Sequence, residues 1–281
     1  MERLEAHRTF FAKLITSTAG VPNGRLTAAF AATPRERYLG PGPWKVFTGG
    51  GYITTPTDDP AFLYQDVTVA LSEESKINNG QPVLHAVNLA MLNPQPGETV
   101  IHIGAGTGYY TALLQQLIAP GGQVLAYEIN PTLADRARTN LADLPNVTVY
   151  AQSGTDGPLP TCNIIYVNAG ATGPLESWLD ALRPGGRLLF PLTPDGPGGT
   201  PGAGGMLLVT QTPAGFNARF IMPVMFIPCV GARDDETAQK LAEAFRRSDM
   251  KNVHSLRRHT VPDDTCWCSG RGWWLSTAEN R

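Results

Sequence analysis

The chain of 281 residues reads as an α/β protein built on a mostly parallel sheet that ends in an antiparallel hairpin, flanked by an N-terminal module and a C-terminal extension. Three observations lead there. Between about residues 96 and 231, short β-rich runs alternate with helical stretches, the pattern of parallel strands joined by crossover helices. The last two runs of that region, MLLVTQ at 206–211 and FNARFIMPV at 216–224, are separated only by TPAG, which is too short for a crossover and suits a hairpin. The composition, 42% hydrophobic and 16% charged, is that of a chain with a large core and not of a disordered one.

Taken in order, residues 1–95 mix short helical patterns with the turns PGPW at 41–44 and TGGGYITTPTDDP at 48–60, and form a module of their own. The core, 96–231, offers the strands TVIHI at 99–103, QVLAYE at 123–128, VTVYA at 147–151, NIIYVNA at 163–169 and RLLFPL at 187–192. Each is too short for a helix and rich in β-branched or aromatic residues. Tyr109 to Ile118 places Leu113, Leu114 and Leu117 on one helical face. Pro131 follows the potential N-cap Asn130, and a third helix near 174–182 is closed by Pro184-Gly185-Gly186. The Gly/Pro-dense stretch 193–205 is expected to loop out as a mobile insertion. In the tail, 232–281, Asp234 to Arg247 has acids at its start, arginines at its end and Leu241, Ala244 and Phe245 on one side, as an amphipathic helix requires. Two strand-like runs, NVHSLRRH and CWCSGRGWWLS, follow and are expected to pack back on the core.

Charge narrows the function. Lys and Arg number 22 against 24 Asp and Glu. Near parity argues against nucleic acid or an anionic membrane surface as partner, since both select clustered positive charge. No apolar run reaches the length of a membrane span; Phe220 to Val230 is broken by Pro223 and Pro228. The start, MERLEAHRTFFAKL, lacks the apolar core of a secretion signal, so a cytoplasmic location is expected, and four cysteines do not make a disulfide framework.

The sharpest local signal is Val100-Ile101-His102-Ile103-Gly104-Ala105-Gly106-Thr107-Gly108-Tyr109-Tyr110, a buried strand entering a glycine turn that opens a helix. Such a turn lets backbone N–H groups close on a polar or anionic ligand, so a nucleotide-like cofactor is implied. The dinucleotide fingerprint asks for a third glycine where Tyr109 stands, which disfavours NAD or FAD. Glu128 ends the next strand about 20 residues on, where an acid accepts both hydroxyl protons of a ribose.

VIHIGAGTGYYTALLQQL, the acid within LAYEINPTLADRARTNL, IIYVNAGATGPLESWLDALRPGGRLLFPL and the closing FIMPVMFIPCVG resemble, in order and spacing, the protein-L-isoaspartate O-methyltransferase family of class I S-adenosylmethionine-dependent methyltransferases. The resemblance spans about 25–231. It implies a Rossmann-like fold, S-adenosylmethionine as cofactor and a peptide or protein carboxylate as acceptor, with the N-terminal module on the substrate side. It implies further that Ile103, Gly104, Ala105, Gly106, Thr107, Gly108 and Tyr109 hold the methionine end, Glu128 and Ile129 the ribose, and Ser153, Gly154 and Asn168 further parts of the cofactor.

Three departures qualify the transfer. Family members usually carry an acid at the place of His102, which leaves a core histidine or a group near the cofactor amine. The family's Gly-Asp-Gly falls on Gln152-Ser153-Gly154, so an amide or hydroxyl replaces a carboxylate near the adenine. The family's serine on the substrate carboxylate aligns with Gly80 in Asn78-Asn79-Gly80-Gln81-Pro82. Asn78, Asn79, Gly80, Gln81 and Asn168 are the candidate substrate-orienting groups, and the alternative for 78–82 is a plain turn capping the next helix. His85, one turn into that helix, either packs or faces the site.

A carboxylate is ionised at neutral pH and a sulfonium methyl is already activated, so no acid or base residue is assigned. Two alternatives stay open: a methyltransferase acting on a small molecule or RNA, for which Arg257-Arg258 and the aromatic tail are the candidate patch, and a non-catalytic cofactor-binding module with Trp267, Trp273 and Trp274 as anchor. His254, His259, Cys266 and Cys268 match no standard zinc spacing, and no metal is assigned.

Overall fold

A computed structural model describes residues 2–21, 23–72, 77–196 and 200–280. In chain order the N-terminal elements are α1 (Glu2–Thr18), α2 (Gly24–Ala32), α3 (Glu36–Leu39), the strands β1 (Lys45–Phe47), β2 (Tyr52–Thr54), β3 (Ala70–Ser72) and β4 (Ile77–Asn78), and α4 (Pro82–Leu92). The alternating region follows as β5 (Thr99–Ile103), α5 (Tyr109–Ile118), β6 (Gln123–Tyr127), α6 (Pro131–Asn140), β7 (Val147–Tyr150), β8 (Cys162–Val167), α7 (Glu176–Asp180), β9 (Leu182–Leu192), β10 (Gly204–Thr212) and β11 (Gly215–Val224). Last come α8 (Asp235–Arg247), β12 (Ser255–Arg258), β13 (Cys266–Gly270) and β14 (Trp273–Ser276). These residues gather into two compact units.

The first unit joins the residues up to Glu98 with Ala105–Gln152. Asn23 caps α2 by accepting the Arg25 and Leu26 N–H groups, and Asn130 caps α6 by accepting that of Leu133, with Pro131 at the first turn. β6 and β7 pair in parallel, Val124 beside Val147. Leu39, Trp44, Val46, Leu63 and Val69 form a buried cluster in the N-terminal part. α5 buries eight of its ten residues, which is why its sequence is apolar almost all round.

The second unit joins Thr99–Gly104 with the chain from Ser153 onward. Its strands run in the order β13-β14-β12-β11-β10-β9-β8-β5. β5, β8 and β9 are parallel, and every later pairing is antiparallel. All five residues of β5 are buried, as expected of a parallel strand covered on both faces. The hairpin β10–β11 forms as read from the sequence, but the antiparallel part does not end there. CWCSGRGWWLS folds as two strands, not one, and with β12 they extend the sheet past β11.

Two boundaries differ from the sequence reading. Pro184-Gly185-Gly186 lies inside β9, and the helix before it is confined to Glu176–Asp180. The 193–205 segment is not a free insertion where it is described. Asp195 bridges Pro201, Gly196 N donates to Thr200 O at 2.8 Å, and Gly204 and Gly205 belong to β10; Pro197, Gly198 and Gly199 lie outside the described residues. Glycine is required at 205 because a Cβ would run into the Phe220 ring.

Candidate functional site

β5 delivers the chain into Gly104-Ala105-Gly106-Thr107-Gly108. The three glycines have φ of 77°, 57° and 96°, values that an L side chain tolerates poorly. A Cβ at Gly108 would stand 2.7 Å from Leu141 Cδ1, and one at Gly106 would stand 3.2 Å from Leu71 Cδ1. The turn is pinned by Ala105 N donating to Tyr127 O, Gly108 N to Ala105 O and Asn140 Nδ2 to Thr107 O, at 2.9–3.1 Å.

Glu128 follows β6 in the first unit, as does the turn from Ala105 to Gly108. Its Oε2 accepts Gly106 N–H at 2.7 Å and its Oε1 accepts Asn130 N–H at 2.9 Å. Burial raises its pKa, against the backbone N–H groups of Asn130, Gly106 and Ile129, which favour the ionised form. A carboxylate has about four acceptor sites. With Gly106 and Asn130 N–H bonded to one oxygen each and Ile129 N–H acting on the same group, acceptor capacity remains for a ribose hydroxyl. Thr107 Oγ1 and Tyr109 Oη are buried without a hydrogen-bond partner among the described residues. Ile129 is exposed.

In the second unit, His102 is fully buried on β5. Its Nε2 lies 2.7 Å from Asn168 Nδ2, its ring stacks on Tyr166, and burial holds its pKa down to about 3. The imidazole is therefore neutral. Asn168 follows β8, its N–H donating to Ile103 O at 2.8 Å, and it flanks Gly104: a Cβ there would stand 3.5–3.6 Å from Asn168 atoms. Asn168 Oδ1 is buried with no partner among the described residues. Gly154 packs on Ile103, where a Cβ would meet Cγ1 at 2.6 Å, and its carbonyl accepts Trp178 Nε1 at 2.9 Å. The Ser153 hydroxyl is engaged by Thr155, Oγ to Oγ1 at 2.7 Å. In the first unit, a glycine cradle that side chains would fill and a carboxylate with acceptor capacity in reserve fit a nucleoside cofactor; in the second, Asn168 carries an orphaned amide oxygen beside Gly104.

The 78–82 segment, in the first unit, is a tied strand end and not a bare turn. Asn78 Oδ1 accepts Gly80 N–H at 2.9 Å, Asn79 is buried and accepts Arg35 Nη2 at 3.3 Å, and Gln81 Nε2 donates to Asp66 at 2.7 Å. His85 is buried and stacks on Tyr110 with ring centroids 3.5 Å apart. Gly80 has φ of 45°, and a Cβ on it would fall inside the His85 imidazole. Arg35 was not singled out by the sequence. It is wholly buried and also donates to the carbonyls of Leu63, Gln65 and Val67 at 2.5–3.1 Å. Nothing local separates it from the exposed Arg37 two positions on; it could have been found only with the facing segment 63–67 known.

In the tail, Trp267, Trp273 and Trp274 are buried. Arg257 pairs with Asp263 at 3.5 Å and lies over Trp274, and Arg258 pairs with Asp180 at 2.7 Å. The patch offered for RNA is thus engaged within the protein. His259 stands 3.5 Å from Glu176, and among the described residues no three His, Cys, Asp or Glu side chains gather as a metal site requires. No described helix is long and apolar enough to cross a membrane.

Comparison with known proteins gives one direction. A protein-L-isoaspartate O-methyltransferase of Aeropyrum pernix is 34% identical over 187 residues, covering 64% of this chain and 68% of its own. That of Ignicoccus hospitalis is 31% identical over 182 residues, covering 63% and 83%. A solved protein-L-isoaspartate O-methyltransferase superposes with a TM-score of 0.65 at 18% identity, over 89% of this chain and 73% of the other. A β-aspartate methyltransferase from Plasmodium falciparum, in complex with S-adenosyl-L-homocysteine, does so with a TM-score of 0.61 at 16% identity, over 80% and 98%. The fold is therefore the α/β fold of this class of methyltransferases. Since the model of the protein-L-isoaspartate (D-aspartate) O-methyltransferase family also matches residues 50–234, nearly two thirds of the sequence, the chain belongs to that family.

Proposed function

We propose that this chain is an S-adenosylmethionine-dependent carboxyl O-methyltransferase, that its acceptor is an aspartyl- or isoaspartyl-type carboxylate of a peptide or protein, and that it works in the cytoplasm. The observation that carries the reading is the Glu128 carboxylate, fixed to the glycine turn through Gly106 N–H with acceptor capacity in reserve. The cofactor, when bound, supplies a sulfonium methyl that an ionised carboxylate can take directly.

The protein's own task is then alignment and the exclusion of water, which in ideal cases supply on the order of 7–11 kcal/mol. Within the first unit, the glycine turn closes on the amino-acid end and Glu128 holds the sugar. Asn78 and Gln81, the exposed amides of their segment, orient the peptide carboxylate. Asn79, bonded to buried Arg35, and Gly80, seated on His85, hold that segment in place.

The test uses radiolabelled S-adenosylmethionine and two peptides that differ only in Asp against isoAsp. Label should enter one or both and leave as methanol in mild alkali, and Glu128→Ala should weaken cofactor affinity at least tenfold, as roughly 1.5–3 kcal/mol per charge-assisted hydrogen bond requires. Base-stable label, or none on either peptide, would refute the assignment.

A further inference from the structure

The hairpin of β1 and β2 leaves one edge open. Thr55 N–H donates to Trp44 O at 2.8 Å and Thr48 N–H to Gly51 O at 3.0 Å, with Val46 opposite Ile53 between them. Ladder bonds of an antiparallel pair fall on alternate residues, so Ile53 faces β1 and the N–H and C=O groups of Tyr52 and Thr54 point outward. Among the described elements β2 pairs with β1 alone, and all three of its residues are exposed. Such a row of backbone groups is a template for another strand. Beside it Tyr52 and its cross-strand partner Phe47, both exposed, form an aromatic ledge with ring centroids 5.3 Å apart. On its other side β1 is tied to the segment assigned to the acceptor. Phe47 N–H donates to Thr68 O at 2.9 Å, Val46 bridges Val69, and Asn79 N–H donates to Val69 O at 2.8 Å. All of these residues lie in the first unit, and the open edge and the 78–82 segment are two sides of one ribbon.

We propose that the outer edge of β2 docks an extended stretch of the acceptor peptide, which adds there as a further strand. The ribbon itself points to this occupant: a chain whose carboxylate meets Asn78 and Gln81 starts at one side and has only to continue across to reach the other. Four strand steps of about 4.8 Å separate the docked strand from that segment, a span of about 19 Å that about six extended residues cover. Recognition then acts on main chain remote from the methylated residue, and the acceptor class is a peptide with a free, β-prone stretch at that distance from its carboxylate. This rests on the acceptor reading above and extends it beyond the reacting group.

Fluorescence anisotropy on the intact chain, with S-adenosyl-L-homocysteine present, tests it with three labelled peptides. The first is a short isoAsp peptide. The second extends it at both ends by a Gly-Ser spacer of about six residues and a Thr-Val-Thr-Val tail. The third is the second with every tail amide N-methylated. The extended peptide should bind roughly tenfold more tightly than the short one, as several backbone hydrogen bonds allow, and N-methylation should abolish the gain. Thr54→Pro removes an outward N–H at an edge position that proline tolerates, and should bring the affinities for extended and short peptides severalfold closer. Should that variant fail to fold, the N-methylated peptide on wild type still decides. Equal affinity for short and extended peptides overturns the proposal, as does a gain that survives N-methylation. A dimer in sedimentation that Thr54→Pro dissolves would put a second copy on the edge and overturn it too. Transfer of label from S-adenosylmethionine to the same peptides separates the two readings: docking without transfer upholds the edge and refutes the acceptor assignment, whereas transfer to short and extended peptides with equal kcat/KM refutes the edge alone.

Discussion

His102 shows how one residue ties the site to the stability of the fold. In an unfolded chain its imidazole titrates near 6.5, whereas burial holds the folded value to about 3. Between those values the unfolded state binds a proton that the folded state refuses, so stability falls as pH falls, by about 1.4 kcal/mol per unit. From pH 6.5, where the unfolded imidazole is half protonated, to pH 5 the loss is about 1.6 kcal/mol. Glu128 acts in the opposite sense, since its raised folded pKa favours folding once pH falls through it. Denaturant titrations at both pH values should therefore show wild type losing about 1.6 kcal/mol more than His102→Gln, which has nothing to titrate at that position. Parallel losses in the two proteins would mean that His102 is protonated in the fold. The residues of the site were legible to different depths. Gly104 to Gly108 and Glu128 announce themselves because a strand, a turn and a helix start are local patterns. The commitments of Asn79 to Arg35 and of Gln81 to Asp66 span 44 and 15 residues, and no local pattern records them.

At the scale of elements, the short β-rich runs between Gly and Pro were readable because parallel strands are buried on both faces and leave no polar alternation. Glycine misled where it serves packing. The 193–205 stretch read as loose chain, yet Gly204 and Gly205 lie in β10, where a side chain would strike Leu192 O or Phe220. α8 is the clearest case of agreement. Acids open it, arginines close it, and Asp234 accepts Thr237 N–H at 2.8 Å as its N-cap. Its Phe245 joins Phe220 of β11 and Trp267 of β13, with centroids 5.1–5.6 Å apart. Removing the cap by Asp234→Ala should cost about 1 kcal/mol, within a range of about 0.5–2, and Trp267→Ala should cost about 3–5 kcal/mol. Chemical denaturation followed by circular dichroism measures both. An unchanged midpoint for Trp267→Ala would mean that α8 and β13 do not contribute to the folding unit.

On the scale of the whole molecule, the family match ends at residue 234, where α8 is about to begin, although the sheet of the second unit does not end there. β12 pairs with β11 through Phe216–Leu256 and Asn217–Ser255, and β14 and β13 follow outward. The tail is thus the closing edge of a sheet shared with the family part of the chain, and its tryptophans are core residues of that unit. The parallel strands could be placed from sequence because each run lies near its partner in the alternating order. The tail could not, because its register depends on an edge set by β9, β10 and β11. Cutting the chain after residue 234 would uncover the β11 edge and the Phe220 ring, and would remove the buried Trp267, Trp273 and Trp274. A bare edge beside newly exposed aromatic surface is a template for pairing between chains. A chain of residues 1–234 should therefore aggregate on expression or elute as large species, while a full-length Arg257→Ala variant, which gives up only a half-exposed ion pair and its stacking on Trp274, should stay folded and soluble. Light scattering and thermal melts decide between these outcomes: a truncated chain that is monodisperse and melts where the full chain does would show that the sheet is complete at β11 and that the last three strands are an independent appendage.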